Sequence, residues 1–234
     1  MLEALGVSRR YGWRWALRDL SLSVSPGETL ALLGKNGSGK TTLLKSFAGL
    51  LQPTEGAVRV NGEPISREAK GRIGLLSHEP MLYAGLTIRE NLGYFARLFS
   101  VESGKIPARV DLLAETLGIA ERLDEPVRVL SQGLRQRAAL ARALLHEPEV
   151  VLLDEPFAGL DPEAAGRLEN VVRVLCEGRE RIVVFTTHDL PKALDMAGRI
   201  AVLAGGRLAY EENAENSSEE AVLAAFDESS GGSA

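Results

Sequence analysis

Gly34-Lys35-Asn36-Gly37-Ser38-Gly39-Lys40-Thr41 is the stretch whose residue types and spacing most directly imply chemistry. It follows an apolar run, Thr29-Leu30-Ala31-Leu32-Leu33, and precedes a run with helical character, Thr42 to Ala48. Strand, glycine loop and helix is the context in which G-x-x-x-x-G-K-[ST] binds phosphate. Glycines without Cβ atoms let the loop curl, so that backbone N–H groups from Gly34 to Thr42 can converge on a polyphosphate. The helix that starts there adds the positive end of its dipole. In such a loop Lys40 reaches the β- and γ-phosphates and the Thr41 hydroxyl ligates Mg²⁺.

A phosphate loop needs a second metal anchor and a group to activate water. Val150-Val151-Leu152-Leu153-Asp154-Glu155 offers both. Asp154, at the end of an apolar run, can hold the Mg²⁺ shell. Glu155 can accept a proton from attacking water. Upstream, Leu130 to Arg137 opens a helix. Ser131 is its expected N-cap, and Gly133 lets a phosphate approach the N–H groups.

Together these motifs resemble the nucleotide-binding subunit of an ATP-binding-cassette (ABC) transporter, from about Leu2 to Tyr210. Gly34 to Thr41 resembles the P-loop, Leu130 to Gln136 the signature sequence, and Val150 to Glu155 the Walker B strand with its catalytic glutamate. Ala158-Gly159-Leu160-Asp161 resembles the D-loop, and Thr186-Thr187-His188-Asp189 the switch-histidine loop. Tyr11 stands where the family places an aromatic against adenine, with Trp13 and Trp15 as nearby competitors; a buried-strand role is the alternative for all three. The signature departs from LSGGQ, with Gln132 and Leu134 at its third and fifth positions. A second departure is His78, which aligns with the usual glutamine at the end of Ile73 to Leu76. Imidazole suits hard Mg²⁺ poorly, and the neighbouring Glu79 is the rival oxygen ligand. Ser77-His78 resembles one branch, the ATPase of the haem exporter of cytochrome c maturation, although Glu79 makes that match incomplete.

The resemblance implies an α/β fold, a P-loop NTPase with a RecA-like core, an antiparallel β subdomain and a helical subdomain. It implies ATP and Mg²⁺ as ligands and a head-to-tail homodimer, in which Ser131 and Gly133 of one subunit close the ATP held by the other. Asp161 would join the nucleotide site, and Glu155, His188 and His78 would be catalytic. An integral membrane permease would be the partner. Haem export is the leading branch, another exporter the runner-up, and a soluble cassette acting on ribosomes or DNA a remote third. A P-loop kinase would leave Leu130 to Arg137 and His188 unexplained.

Several elements must position these residues. Leu20 to Val24 alternates as a half-buried strand, and residues 2–24 read as short strands with turns. Asn61-Gly62 marks a hairpin. Thr87-Ile88-Arg89-Glu90 matches a capping box, opening a mainly helical block of residues 87–146. Short apolar runs at Val150, Ile182 and Ile200 read as strands buried on both faces of a parallel sheet, with Ile200 to Leu203 the last. A single domain of residues 1–210 is expected, then an acidic tail of residues 211–234. In it Ala221 to Phe226 could form a short helix, and Ser229 to Ala234 would be disordered.

The 234 residues carry a formal net charge of −5, which argues against a large nucleic-acid-binding surface. Cys176, the single cysteine, excludes an internal disulfide and reads as core filler. No apolar stretch approaches the length of a membrane span, and the N-terminus shows no signal-peptide pattern. The expectation is a cytoplasmic chain, peripheral on the inner face of the cell membrane through its permease.

Overall fold

A computed structural model describes residues 1–160, 162–177 and 180–227. The chain opens with two long antiparallel strands, β1 (Leu2–Tyr11) and β2 (Arg14–Val24), where short strands were expected. Register shifts between Ala4 and Arg10 bend the pair, so that one continuous ribbon does the work of several short ones. β3 (Thr29–Leu33) then leads through the glycine loop into α1 (Lys40–Phe47). β4 (Glu55–Val60) and β5 (Glu63–Pro64) form the hairpin at Asn61-Gly62, where Asn61 has φ 52° and Gly62 φ 80°. A short helix, α2 (Arg67–Lys70), leads to β6 (Ile73–Leu76).

The helical block contains α3 (Ile88–Leu98), α4 (Ile106–Thr116) and α5 (Gln132–Leu144). Both halves of the α3 capping box are formed: the Glu90 N–H donates to the Thr87 hydroxyl, and the Thr87 N–H donates to the Glu90 carboxylate. The α/β alternation resumes with β7 (Val150–Leu153), α6 (Pro162–Glu177), β8 (Ile182–Thr186), α7 (Leu190–Met196) and β9 (Arg199–Ala204). The chain continues with β10 (Arg207–Asn213) and α8 (Glu219–Asp227).

Two sheets result. One has the order β2-β1-β4-β5 and is antiparallel; the other runs β10-β9-β3-β8-β7-β6 and is parallel except for β10. Side chains alternate across the parallel strands and explain why these runs are wholly apolar. Leu30, Leu32, Val150, Leu152 and Val184 face the antiparallel sheet, in one core with Leu43, Leu44 and Phe47 of α1. Ala31, Leu33, Val151, Leu153 and Phe185 face the other core, which takes in α3 to α8. α1, and with it the glycine loop, is held where the two sheets meet.

Ile200 to Leu203 is not the last strand. β10 turns back on β9 across Gly205-Gly206, pairing Arg207 with Ala204 and Asn213 with Arg199. The expected boundary at residue 210 therefore falls inside a strand. Beyond it, α8 buries Val222 and Ala225 in the main core. Strand propensity in Arg207 to Asn213 was masked by its acidic end, and pairing to β9 overrides that weak local preference. The expected disorder of Ser229 to Ala234 lies outside the described residues. Cys176 packs partly buried against the core, and burial pushes its thiol up, away from reactivity.

Candidate nucleotide site

β3 ends at Leu33 and the chain turns at Gly34, which has φ 147°. A Cβ on Gly34 would stand 2.5 Å from the Leu203 carbonyl oxygen, and one on Gly39 2.6 Å from that of Ala16. Neither distance is possible for a real side chain, so glycine at both positions lets the loop lie against β9 and β2. The Ser38 hydroxyl is buried without a hydrogen-bond partner, a polar atom waiting inside the loop.

Lys40 is buried, and its Nζ donates to the carbonyl oxygens of Gly34 (2.7 Å) and Lys35 (3.4 Å). Burial pushes the Lys40 ammonium below the usual lysine range; Glu155 and Asp154 pull it back. Glu155 Oε1 lies 3.8 Å from Lys40 Nζ. A buried cation so weakly compensated favours a polyanion beside it.

Asp154 follows β7 and is only 4% exposed. Its Oδ1 accepts from the Thr41 hydroxyl at 3.2 Å and from the Thr186 hydroxyl at 2.9 Å. Hard oxygens from one carboxylate and one hydroxyl, leaving room for phosphate and water, are the donor set that Mg²⁺ takes. No cluster of three or more acidic, His or Cys ligands exists among the described residues, and Mg²⁺ bound through phosphate needs none. Thr41 and Asp154 would hold the ion, which when bound neutralises charge on the phosphates.

Glu155 stands at φ 47°, a left-handed conformation that non-glycine residues rarely adopt. Its N–H donates to the Thr186 hydroxyl at 2.7 Å, which fixes this turn. The strained turn aims the carboxylate between Lys40 and His188, whose Nδ1 lies 3.7 Å from Glu155 Oε2. His188 itself is 72% exposed.

A cavity of about 380 Å³ opens over the loop, lined among others by Tyr11, Asn36, Lys40, Thr42 and Glu155. Tyr11 is half exposed and Trp13 almost wholly so, which removes the buried-strand alternative for these two. Tyr11 is the aromatic that lines the cavity, and the Arg9 guanidinium sits 5.0 Å from its ring centre. Lys35, Asn36 and Gly37 are exposed along the rim, as a phosphate-facing loop requires.

Other expected residues stand apart. Ser131 caps α5, its hydroxyl accepting from the Leu134 N–H at 3.3 Å. Neither Ser131 nor Gly133 lines the cavity of its own chain. Gly133 instead packs near Ala164 and Leu160, and the buried Gln136 amide donates to the Pro156 carbonyl oxygen. α5 is thereby tied to the loop that follows Glu155. His78 is exposed just beyond β6 and makes no hydrogen bond or ion pair with the cluster among the described residues. Asp161 lies outside the described residues.

Two residues of the site were given no role of their own from the sequence. Thr186 bridges Asp154 and Glu155; the sequence placed it only as the first residue of the stretch resembling the switch-histidine loop, at the end of an apolar run. Arg14 lines the cavity from the start of β2, and nothing in the sequence separated it from other exposed arginines.

Fold and site together define a P-loop nucleoside triphosphatase. The ABC transporter family profile matches residues 17–158, more than half of the chain, and the chain belongs to that family as an ATP-binding, ATP-hydrolysing cassette. It is 38% identical over 209 residues to the Nod factor export ATP-binding protein I of Burkholderia orbicola, covering 88% of this chain and 68% of that protein. It is 40% identical over 204 residues to the sulfate/thiosulfate import ATP-binding protein CysA of Mycobacterium bovis, covering 86% and 58%. Among solved structures, the dimeric post-hydrolysis state of the ATP-binding cassette MJ0796 bound to ADP and Pi superposes with a TM-score of 0.84 at 26% identity, covering 92% of this chain and 99% of that one.

Proposed function

We propose that this chain powers a separate membrane permease by hydrolysing ATP between two copies of itself. The observation that carries this reading is the convergence of Lys40, Thr41, Asp154 and Glu155 on one cavity. Lys40 and the loop N–H groups hold the triphosphate, Thr41 and Asp154 hold Mg²⁺, and Glu155 takes a proton from the attacking water. Ser131 and Gly133, remote from their own cavity, are free to close the nucleotide of a second copy. The dimeric MJ0796 cassette, bound to ADP and Pi, supports that arrangement.

No helix among the described residues is long and apolar enough to cross a membrane; in this reading a separate permease supplies the spanning path. An exposed aromatic patch supports a partner there. Tyr83 and Tyr94 meet edge to face with ring centres 5.4 Å apart, and Tyr83 stacks on Phe95 at 6.1 Å. With Leu98 they leave large apolar surface in water. Attachment through this patch would hold the chain peripherally on the cytoplasmic side of the membrane.

The transported substrate is less constrained. Haem export rests on Ser77-His78 alone, and the named relatives export Nod factor or import sulfate and thiosulfate. Transport of another substrate is therefore favoured. Unchanged c-type cytochromes in cells lacking this chain would remove the haem reading. For the ATPase reading, titration calorimetry with Mg²⁺ and ATP is the test. Lys40→Ala should lose most of the affinity, because the γ-phosphate loses its main cation. Equal affinity in parent and variant would overturn it.

A further inference from the structure

A second concave site lies away from the nucleotide cavity and shares no lining residue with it. It is a groove of about 560 Å³ between α4 and α6. Its floor is aliphatic: Leu113 and Leu117 from the α4 side, Leu144 at the end of α5, and Leu175 with Val171 on α6. Leu112 and Val174 stand exposed on the two banks. A concave site of this size, mostly apolar with a few convergent polar groups, is the usual form of a small-molecule site.

The polar groups are nearly all of one sign. Arg109, Arg167 and Arg181 line the groove, against the single carboxylate of Glu115. This is unusual on a chain whose net charge is −5. Arg109 is anchored from behind, donating to the carbonyl oxygens of Leu144 and Leu145 and pairing with Glu147 at 3.1 Å. Arg167 pairs with Glu163 on its own helix. Arg181 makes no ion pair among the described residues. It lies close enough to act on Arg109: burial holds the Arg109 guanidinium below the usual arginine range, Glu147 pulls it back, and Arg181 pushes it further down. Arg109 and Arg181 both line the aliphatic groove, and Arg181 has no ion-pair partner among the described residues, so an anionic head there gains a charge-assisted partner.

We propose that this groove binds a monomeric anionic amphiphile, a fatty-acid-like carboxylate whose chain lies on the Leu113, Leu117 and Leu175 floor and whose head pairs with Arg181 and Arg109. Charge complementarity and the aliphatic floor together select that class. A neutral apolar molecule leaves Arg181 without a counter-charge, and an inorganic anion leaves the floor wet. Such a ligand touches the helical block through α4 and the core through α6, so its binding stabilises the joint between them.

The test is titration calorimetry on the full chain with sodium laurate below its micelle concentration. Dodecyltrimethylammonium serves as the charge-reversed probe, and phosphatidylglycerol vesicles as the bilayer source of the same chemistry. Saturable laurate binding is expected, with the cationic probe at least about tenfold weaker. Arg181→Glu should weaken laurate about tenfold by replacing attraction with repulsion. Val174→Glu, on the α6 bank, should also weaken it. Both positions are remote from the nucleotide cavity, so unchanged ATPase activity shows that the variants are folded. Equal binding of both probes, no saturable laurate binding, laurate affinity indifferent to both substitutions, or binding to vesicles alone would each overturn the proposal.

Discussion

Thr186, at the end of β8, donates its hydroxyl hydrogen to Asp154 at the end of β7, 2.9 Å away. The same oxygen accepts the Glu155 N–H at 2.7 Å. One buried hydroxyl thus orients both Asp154 and Glu155. Thr186→Val keeps the shape and removes the hydroxyl. A buried carboxylate and a backbone N–H lose their partner, at a cost of about 1–3 kcal/mol. The expected result is a lower melting temperature and slower ATP hydrolysis, with Thr186→Ser restoring both. Hydrolysis at the parent rate in the valine variant would show that Thr186 does not position these groups.

Glu155→Gln preserves the side-chain shape between Lys40 and His188 but removes its basicity. General-base help is typically worth 10²–10⁴-fold, so turnover should fall by that range while ATP still binds. With hydrolysis blocked, the ATP-bound dimer should accumulate and elute early in size-exclusion chromatography. A variant that turns over ATP at near the parent rate would remove Glu155 from the role of base.

His146 gives a pH dependence with a definite sign. Its ring stacks on Phe99 at 4.0 Å, Nε2 lies 3.2 Å from the Ile73 carbonyl oxygen, and Nδ1 is buried without a partner. Burial pushes its pKa down to about 4, with Arg142 and Arg109 adding to the fall and the Ile73 carbonyl opposing it. The unfolded chain binds this proton near pH 6.5, whereas the folded chain does so only near pH 4. Between those values the unfolded state holds more protons, so stability declines as pH drops through the window. Denaturant titrations should show the decline in the parent and a flatter profile in His146→Phe, which keeps the ring stack. Coincident profiles would mean that His146 does not carry the acid sensitivity.

Much of this architecture was legible because its signals are local. The capping box at Thr87, the Asn61-Gly62 turn and the loop from Gly34 to Thr41 are each set by residues within one short stretch. The parallel strands were legible because burial on both faces demands unbroken apolar runs. What escaped depends on partners distant in sequence. β10 exists because β9 offers it an edge, and its own residues end in Glu211-Glu212. Thr186 matters only because β8 lies in register beside β7, placing its hydroxyl over Asp154. The groove between α4 and α6 joins residues 109–118 to residues 167–181, which no local pattern connects.

The loop after β6 separates two roles for His78. Leu76 is wholly buried and its carbonyl oxygen accepts the Asp154 N–H at 2.8 Å, so the strand end is locked beside Asp154. Ser77 is buried too, and its hydroxyl donates to the Glu79 carbonyl oxygen, curling the loop over. His78 and Glu79 both emerge exposed, in the segment that leads on to the exposed Tyr83. A residue needed for water or Mg²⁺ chemistry acts on hydrolysis by the isolated chain. One that meets the permease acts only when the partner is present. Because His78 makes no bond to the cluster among the described residues, it is expected to belong to the second group. His78→Ala should leave the ATPase rate of the isolated chain within about twofold, as surface substitutions usually do. The same change should reduce stimulation by the reconstituted membrane partner. Glu79→Ala is the comparison, since Glu79 carries the oxygen that Mg²⁺ prefers. A large fall in isolated-chain activity for Glu79→Ala alone would mean that Glu79 swings into the site when nucleotide binds. A large fall for His78→Ala would return His78 to the catalytic centre, in the place of the glutamine it replaces.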